Sequence, residues 1–140
     1  MSESNPNQIE AAVLRANAEF YRAFSSGDYA AMSELWAKQA PVVCFHPGLP
    51  ALIGRQAVLQ SWERVLAEGP PFRMRCDHAR AHVLADTAIV TGYEGTDDRP
   101  AHLAVTNLFM LEAGQWRMVH HHAGPLARAI GMPEPSRTVN

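Results

Sequence analysis

Cysteine, clustered charge and long apolar runs are all scarce in this chain, and each shortage closes off a class of function. Cys44 and Cys76 are the only cysteines in 140 residues, too few for a disulfide framework, so both are expected as buried free thiols. Twelve basic and 14 acidic residues leave a formal net charge of −2, and neither sign gathers into a block. The electrostatic footprint for nucleic acid or an anionic membrane surface is therefore missing. No apolar run approaches the ~20 residues that cross a bilayer. The start, MSESNPNQIE, has neither the basic nor the apolar region of a secretory signal. A soluble, unprocessed, cytoplasmic protein is expected. Gly-rich dinucleotide and phosphate-loop motifs are also lacking, so no nucleotide cofactor is expected.

What is present divides the chain in two. In SNPNQIEAAVLRANAEFYRAFSSGD, Asn5 can cap a helix, Pro6 suits its first position and Gln8 completes a capping box. Ile9, Val13, Ala16, Phe20 and Phe24 make one helical stripe, with Leu14 and Tyr21 beside it. Asp28 caps a second, shorter helix, YAAMSELWAKQ, with Met32, Leu35 and Trp36 inward. PVVCF reads as a short strand and HPGLPALIG as a loop. A third helix, RQAVLQSWERVLAEG, carries Val58, Leu59, Trp62, Val65 and Leu66 and stops at Gly69-Pro70-Pro71. The period then changes to two. FRMRCDHARAHVL, TAIVTGYEG, HLAVTNLFMLE and QWRMVHHHA read as four antiparallel strands, followed by a tail with room for one helical turn.

This order predicts one α+β domain over residues 1–140, with a core of about 6–125 and a tail from 126. Three N-terminal helices cover one face of a curved antiparallel sheet around a cavity. The other face is left for a second copy, which predicts a homodimer through the outer sheet face.

The chemistry concentrates in QWRMVHHHAGP, with consecutive histidines at His120, His121 and His122. A two-residue turn at Ala113-Gly114 pairs Glu112 with Gln115, and counting outward pairs Asn107 with His120 and Val105 with His122. Alternation then puts Val105, Asn107, Phe109, Leu111, Trp116, Met118, His120 and His122 on one face and His121 on the other. The first face reads as a pocket wall, apolar at its closed end and polar at the other. His120 and His122 are the candidate acid or base, because an imidazole titrates near neutrality. Asn107 is the candidate hydrogen-bond donor to a developing oxyanion. A structural role for the histidines stays open, and so does a metal site with His46 or Glu94 as third ligand, although no second compact ligand pair is present and none is expected to bind metal. His46, where a strand leaves the sheet, is the candidate mouth residue, or equally a loop histidine bonded to backbone. Tyr21, Trp36, Trp62, Phe20, Phe109 and Trp116 are candidate ligand contacts. Glu94 is the one carboxylate considered for the interior, with a solvated strand end as the plainer reading. Arg55 is considered for an anion, or simply as an exposed residue at a helix start.

The pieces FYRAFSSGDYAAMSELWA, VVCFHPGLPALIGRQAVLQSWERVL and TNLFMLEAGQWRMVHHHAGP resemble the nuclear-transport-factor-2-like superfamily, and its SnoaL-like branch in particular. The Gly-Asp after the first helix, the Trp ending the second, the Gly-Arg before the third and the final W-x-x-V-H-x-H carry the resemblance. It implies a cone-shaped α+β barrel whose cavity takes a small apolar or oxygenated molecule, in a homodimer. Relatives include ketosteroid isomerases, polyketide cyclases, dehydratases and non-catalytic association domains of kinases. Two readings follow from it. One is a cofactor-independent isomerase, cyclase or dehydratase using cavity histidines; the other is a ligand-binding or oligomerisation module without chemistry. The isomerases and cyclases use a cavity carboxylate, and no Asp falls on the expected pocket face here.

Overall fold

The computed structural model describes residues 5–68 and 73–131. The Gly69-Pro70-Pro71 helix stop, Phe72 and the tail beyond Gly131 lie outside the described residues. Helices α1 (Pro6–Ser26) and α2 (Tyr29–Leu35) precede strands β1 (Val43–Phe45) and β2 (Leu52–Ile53). Helix α3 (Arg55–Glu68) leads into β3 (Met74–Leu84), β4 (Thr87–Thr96), β5 (Arg99–Glu112) and β6 (Gln115–Pro125). Residues 126–131 form bends and a turn, with no helical turn among them.

The capping box opens α1 as expected: Asn5 Oδ1 accepts from the Gln8 N–H at 2.8 Å, and Gln8 Oε1 accepts from the Asn5 N–H at 3.2 Å. The helix ends where Gly27 takes a left-handed φ of 69° and its N–H turns back to the last carbonyls. Helix α2 stops earlier than its pattern predicts. Trp36 is already extended, and Ala37 donates to the Met118 carbonyl at 2.9 Å, tying the chain to β6.

Arg55 closes that helix end. Its guanidinium donates to the carbonyls of Trp36, Ala37 and Ser33 at 2.7, 3.0 and 2.9 Å. Ser33 lies in the last turn of α2, whose carbonyls lack helical partners, and Trp36 and Ala37 follow it directly, so Arg55 caps the helix end and the chain leaving it. Arg55→Ala is expected to destabilise the fold by about 2 kcal/mol, as loss of charge-assisted hydrogen bonds does. A urea denaturation midpoint unchanged from wild type would contradict that role.

The six strands form one open sheet in the order β2-β1-β6-β5-β4-β3. It departs from the all-antiparallel expectation, because β1 runs parallel to β6. The two-residue β2, read in the sequence as loop, pairs with β1. Val13, Phe20, Met32, Trp36, Val58, Trp62, Phe109 and Met118 are fully buried between helices and sheet. No helix among the described residues is long and apolar enough to cross a membrane.

The β5–β6 hairpin decides which side chains face that core. Ala113 and Gly114, with φ of 50° and 78°, make the tight turn. Glu112 pairs with Gln115, Leu111 with Trp116 and Phe109 with Met118, as the turn dictates. Between Phe109 and Leu108 the register then shifts, and Leu108 pairs with His120. Val119 is the extra residue of a β-bulge, and a one-residue slip sends every later side chain to the opposite face. The expected placement is corrected accordingly. His121 pairs with Asn107 and points inward, whereas His120 and His122 point outward.

Candidate functional site

Helix α1 faces the sheet with a stripe that includes two polar groups, Asn17 and Tyr21, four residues apart. Opposite them, β4 contributes Glu94, β5 Asn107 and β6 His121. All five are buried, Asn107 completely. Glu94 reaches the interior because Ala88, Val90 and Gly92 before it alternate inward. Gly92 has a local reason of its own: a Cβ there would lie 2.6 Å from the Cys76 sulfur.

The five side chains form one ordered network. His121 Nδ1 lies 2.6 Å from Asn107 Oδ1; a carbonyl oxygen only accepts, so the imidazole proton sits on Nδ1. Asn107 Nδ2 donates to Asn17 Oδ1 at 2.8 Å and to the Tyr21 hydroxyl at 3.1 Å. Tyr21 in turn donates to Glu94 Oε2 at 2.7 Å. The ring closes where His121 Nε2, left with a free lone pair, stands 4.0 Å from the same carboxylate oxygen. Asn17 also donates weakly to the Cys76 sulfur at 3.8 Å.

Burial sets the charges. It pushes the Glu94 carboxyl up from 4.5 to about 7, against the opposing pull of the Tyr21 hydrogen bond. It drives His121 down to about 3, helped by the nearby His46, His120 and His122, so this imidazole is neutral. The Tyr21 hydroxyl is raised well above its ordinary value by burial and by Glu94. Both cysteines are free, and burial raises Cys44 to about 12 and Cys76 above its usual range, which makes them poor nucleophiles. Glu94 is thus a carboxyl group that changes protonation near neutral pH, next to a phenol and a neutral imidazole. Such a group can take a proton from carbon or return one.

Aromatic rings wall the network. Phe20 lies 4.9 Å from both Tyr21 and His121, and Trp62 lies 5.8 Å from His121 (ring centres). Tyr21 also connects the network to the surface. It lines a groove of about 490 Å³ between the end of α1 and the start of β3, shared with Ala18, Arg22, Ser25, Met74 and Arg75.

Of the residues expected from sequence, Tyr21 and Asn107 meet in the network, and Phe20 and Trp62 form its walls. Phe109 and Trp36 are packed in the core. Trp116 lines a different groove, with Glu19, Leu35 and Arg117. His46 stands behind Trp62 at 4.9 Å, its Nε2 bound to Ser61 Oγ at 2.6 Å. It is absent from the lining of the Tyr21 groove. His120 and His122 lie on the far side of the sheet. His121 takes the place expected for them, and Glu94 is inside. Asn17 was not singled out from the sequence, although a polar residue within the apolar stripe of α1 is a usable signal. No group of three or more His, Cys, Asp or Glu among the described residues is placed to enclose a metal ion.

Residues 13–128 match the family model described as a SnoaL-like domain. The chain belongs to the SnoaL-like family. Among solved structures of the NTF2-like fold, this SnoaL-like chain resembles a candidate dehydratase of the NTF2-like family from Streptomyces avermitilis. The two share 30% identity over 89% of this chain and 100% of the other, with a TM-score of 0.78. A candidate calcium/calmodulin-dependent protein kinase type II association domain from Thiobacillus denitrificans shares 34% identity, covering 79% of this chain and 92% of that one, with a TM-score of 0.68. The F-box protein SKIP8 of Arabidopsis thaliana is 32% identical over 114 residues, 80% of this chain and 48% of that protein. The chain therefore spans about half the length of that relative.

Proposed function

We propose that this SnoaL-like protein binds a small apolar, oxygenated molecule and carries out acid–base chemistry on it without a cofactor, as an isomerase, cyclase or dehydratase. The observation that carries the proposal is Glu94: a buried carboxyl group titrating near 7, hydrogen-bonded to Tyr21, a residue that lines the groove. Glu94 is the base and acid. Tyr21 gives its single O–H to Glu94 at rest; once Glu94 has taken the substrate proton, that O–H turns to the developing enolate oxygen, while Asn107 Nδ2 holds the phenol oxygen. His121 is a positioning residue that locks Asn107. The catalytic role given to the histidines by sequence reasoning passes to Glu94, because His120 and His122 lie outside and His121 is held neutral.

The proposal extends to a homodimer through the outer sheet face. Leu84, Ile53 and Ile89 are 80, 74 and 43% exposed, and Ile53, Val43, His120, Leu108 and Ile89 form one row across that face. A cytoplasmic setting, where thiols stay reduced, suits the two free cysteines.

Deuterium exchange tests the chemistry without knowledge of the natural substrate. Cyclic enones and β-hydroxy ketones are incubated with the protein in D₂O and followed by NMR. Wild type is expected to exchange the hydrogen next to the carbonyl, with a rate that rises through a pH near 7. Glu94→Gln should lose about 10²-fold or more of that rate. Tyr21→Phe should move the pH midpoint upward, because the hydroxyl normally holds the carboxyl down. Saturable binding with no exchange would favour a non-catalytic module instead, a reading that the hydrogen bonds already joining Asn17, Tyr21, Glu94, Asn107 and His121 to one another also support.

A further inference from the structure

We propose that His120 and His122 form a two-histidine site for a late first-row divalent metal (zinc, nickel or copper) on the outer face of the sheet. The site is separate from the interior network and stands whether or not that network is catalytic.

The bulge that turns His121 inward turns its two neighbours outward onto the same face of β6. Their ring centres are 6.2 Å apart with nearly perpendicular planes. His120 Nδ1 donates to the Val43 carbonyl of β1 at 3.0 Å, which leaves Nε2 with a free lone pair. A backbone carbonyl behind one nitrogen is the usual means of orienting a histidine ligand and fixing its tautomer. His122 is exposed, with its ring stacked on Phe45 at 4.6 Å, and the same phenylalanine lies 6.1 Å from His120. One aromatic side chain thus supports both rings.

The spacing admits one shared ion. A metal roughly 2.0–2.1 Å from an imidazole nitrogen lies about 3.2 Å from the ring centre. Rings 6.2 Å apart would hold such an ion at an angle of about 150°, and exposed His122 rotates off its stack on Phe45 to bring that angle toward the tetrahedral value. Imidazole donors suit zinc, copper and nickel, whereas magnesium and calcium take oxygen ligands. Two protein ligands leave the other positions to water or to a second copy of the chain.

Isothermal titration of the full chain with zinc chloride and nickel chloride, and with magnesium chloride as contrast, tests the site. One zinc or nickel ion per chain is expected, with no magnesium binding. Affinity should fall at least tenfold in each of His120→Ala and His122→Ala, and stay at the wild-type value in His102→Ala. One ion per two chains with the same histidine dependence would also support the pair as ligands. Zinc and nickel binding that is absent from wild type, or unchanged in both variants, would overturn the proposal. Because His120 also ties β6 to β1, unmutated protein gives a second reading. During copper addition, imidazole NMR signals of His120 and His122 should broaden first; earlier broadening at other histidines would refute the assignment.

Discussion

Glu94→Gln is expected to stabilise the fold at pH 8 by about 3 kcal/mol while abolishing the proposed chemistry. In the unfolded chain this carboxyl ionises near 4.5, and in the fold near 7. Between those values the native state keeps a proton that the unfolded state has lost, so stability falls as pH rises through the window. Above 7 the full cost of an ionised buried carboxyl is present, about 1.4 kcal/mol for every tenfold change in its proton affinity. Glutamine has nearly the same shape, still accepts from Tyr21, and never ionises. His121 acts in the opposite sense. Its pKa drops from 6.5 to about 3 on folding, so its contribution rises with pH across that interval and is complete above 6.5. The two slopes oppose each other between about 4.5 and 6.5 in wild type, and the glutamine variant leaves the histidine slope alone. Urea denaturation from pH 4 to pH 8 reads the difference directly. The stability gap between variant and wild type should open from near zero below pH 4.5 to its full size above 7. A constant gap at every pH would show that Glu94 does not titrate in the fold as described.

Asn107→Leu should have the largest effect in the other direction, a loss of about 4 kcal/mol. The amide satisfies three partners at once: it accepts from His121 and donates to Asn17 and to Tyr21. Leucine fills similar space but leaves those groups buried without their bonds, and each such group costs about 1–3 kcal/mol. Relaxation recovers part of the sum, so the loss is smaller than three full penalties. The prediction separates the network from ordinary packing. A loss below about 1 kcal/mol, the scale of a volume-conserving apolar swap, would mean the network is worth little to the fold. The double variant Asn107→Leu with His121→Phe should recover part of the loss, because it removes the donor left without an acceptor.

Much of the fold could be read from short segments, because their signals are local. The capping box at Asn5 and Gln8, the stripe of α1 and the turn at Ala113-Gly114 each depend on neighbours a few residues away. The turn even determines the first pairs of the β5–β6 hairpin correctly. What escaped depends on contacts distant in sequence or on irregularity. The parallel pairing of β1 with β6 joins residues 43–45 to 120–122, which no local period encodes. The two-residue β2 is too short to show alternation. The bulge at Val119 contains no glycine or proline to announce it, so alternation was extended straight through it. The face of Asn107 could be read because the extra residue sits on β6 and leaves the alternation of β5 from Phe109 to Asn107 unbroken, and that of Tyr21 because it lies on a helix. The histidines beyond the bulge were assigned to the wrong faces. Glu94 was legible in principle, since Ala88, Val90 and Gly92 set an inward rhythm that Glu94 continues.

The bulge also bears on how sequences of this fold are compared. Val119 works like a reading frame for the strand: whether one residue is counted or skipped there decides which of three adjacent histidines is interior. An alignment column in the last strand therefore does not by itself assign a side chain to the inside or the outside. Two relatives with the same histidine triplet, differing by a single inserted residue upstream of it, would carry opposite chemistry on the two faces of one sheet.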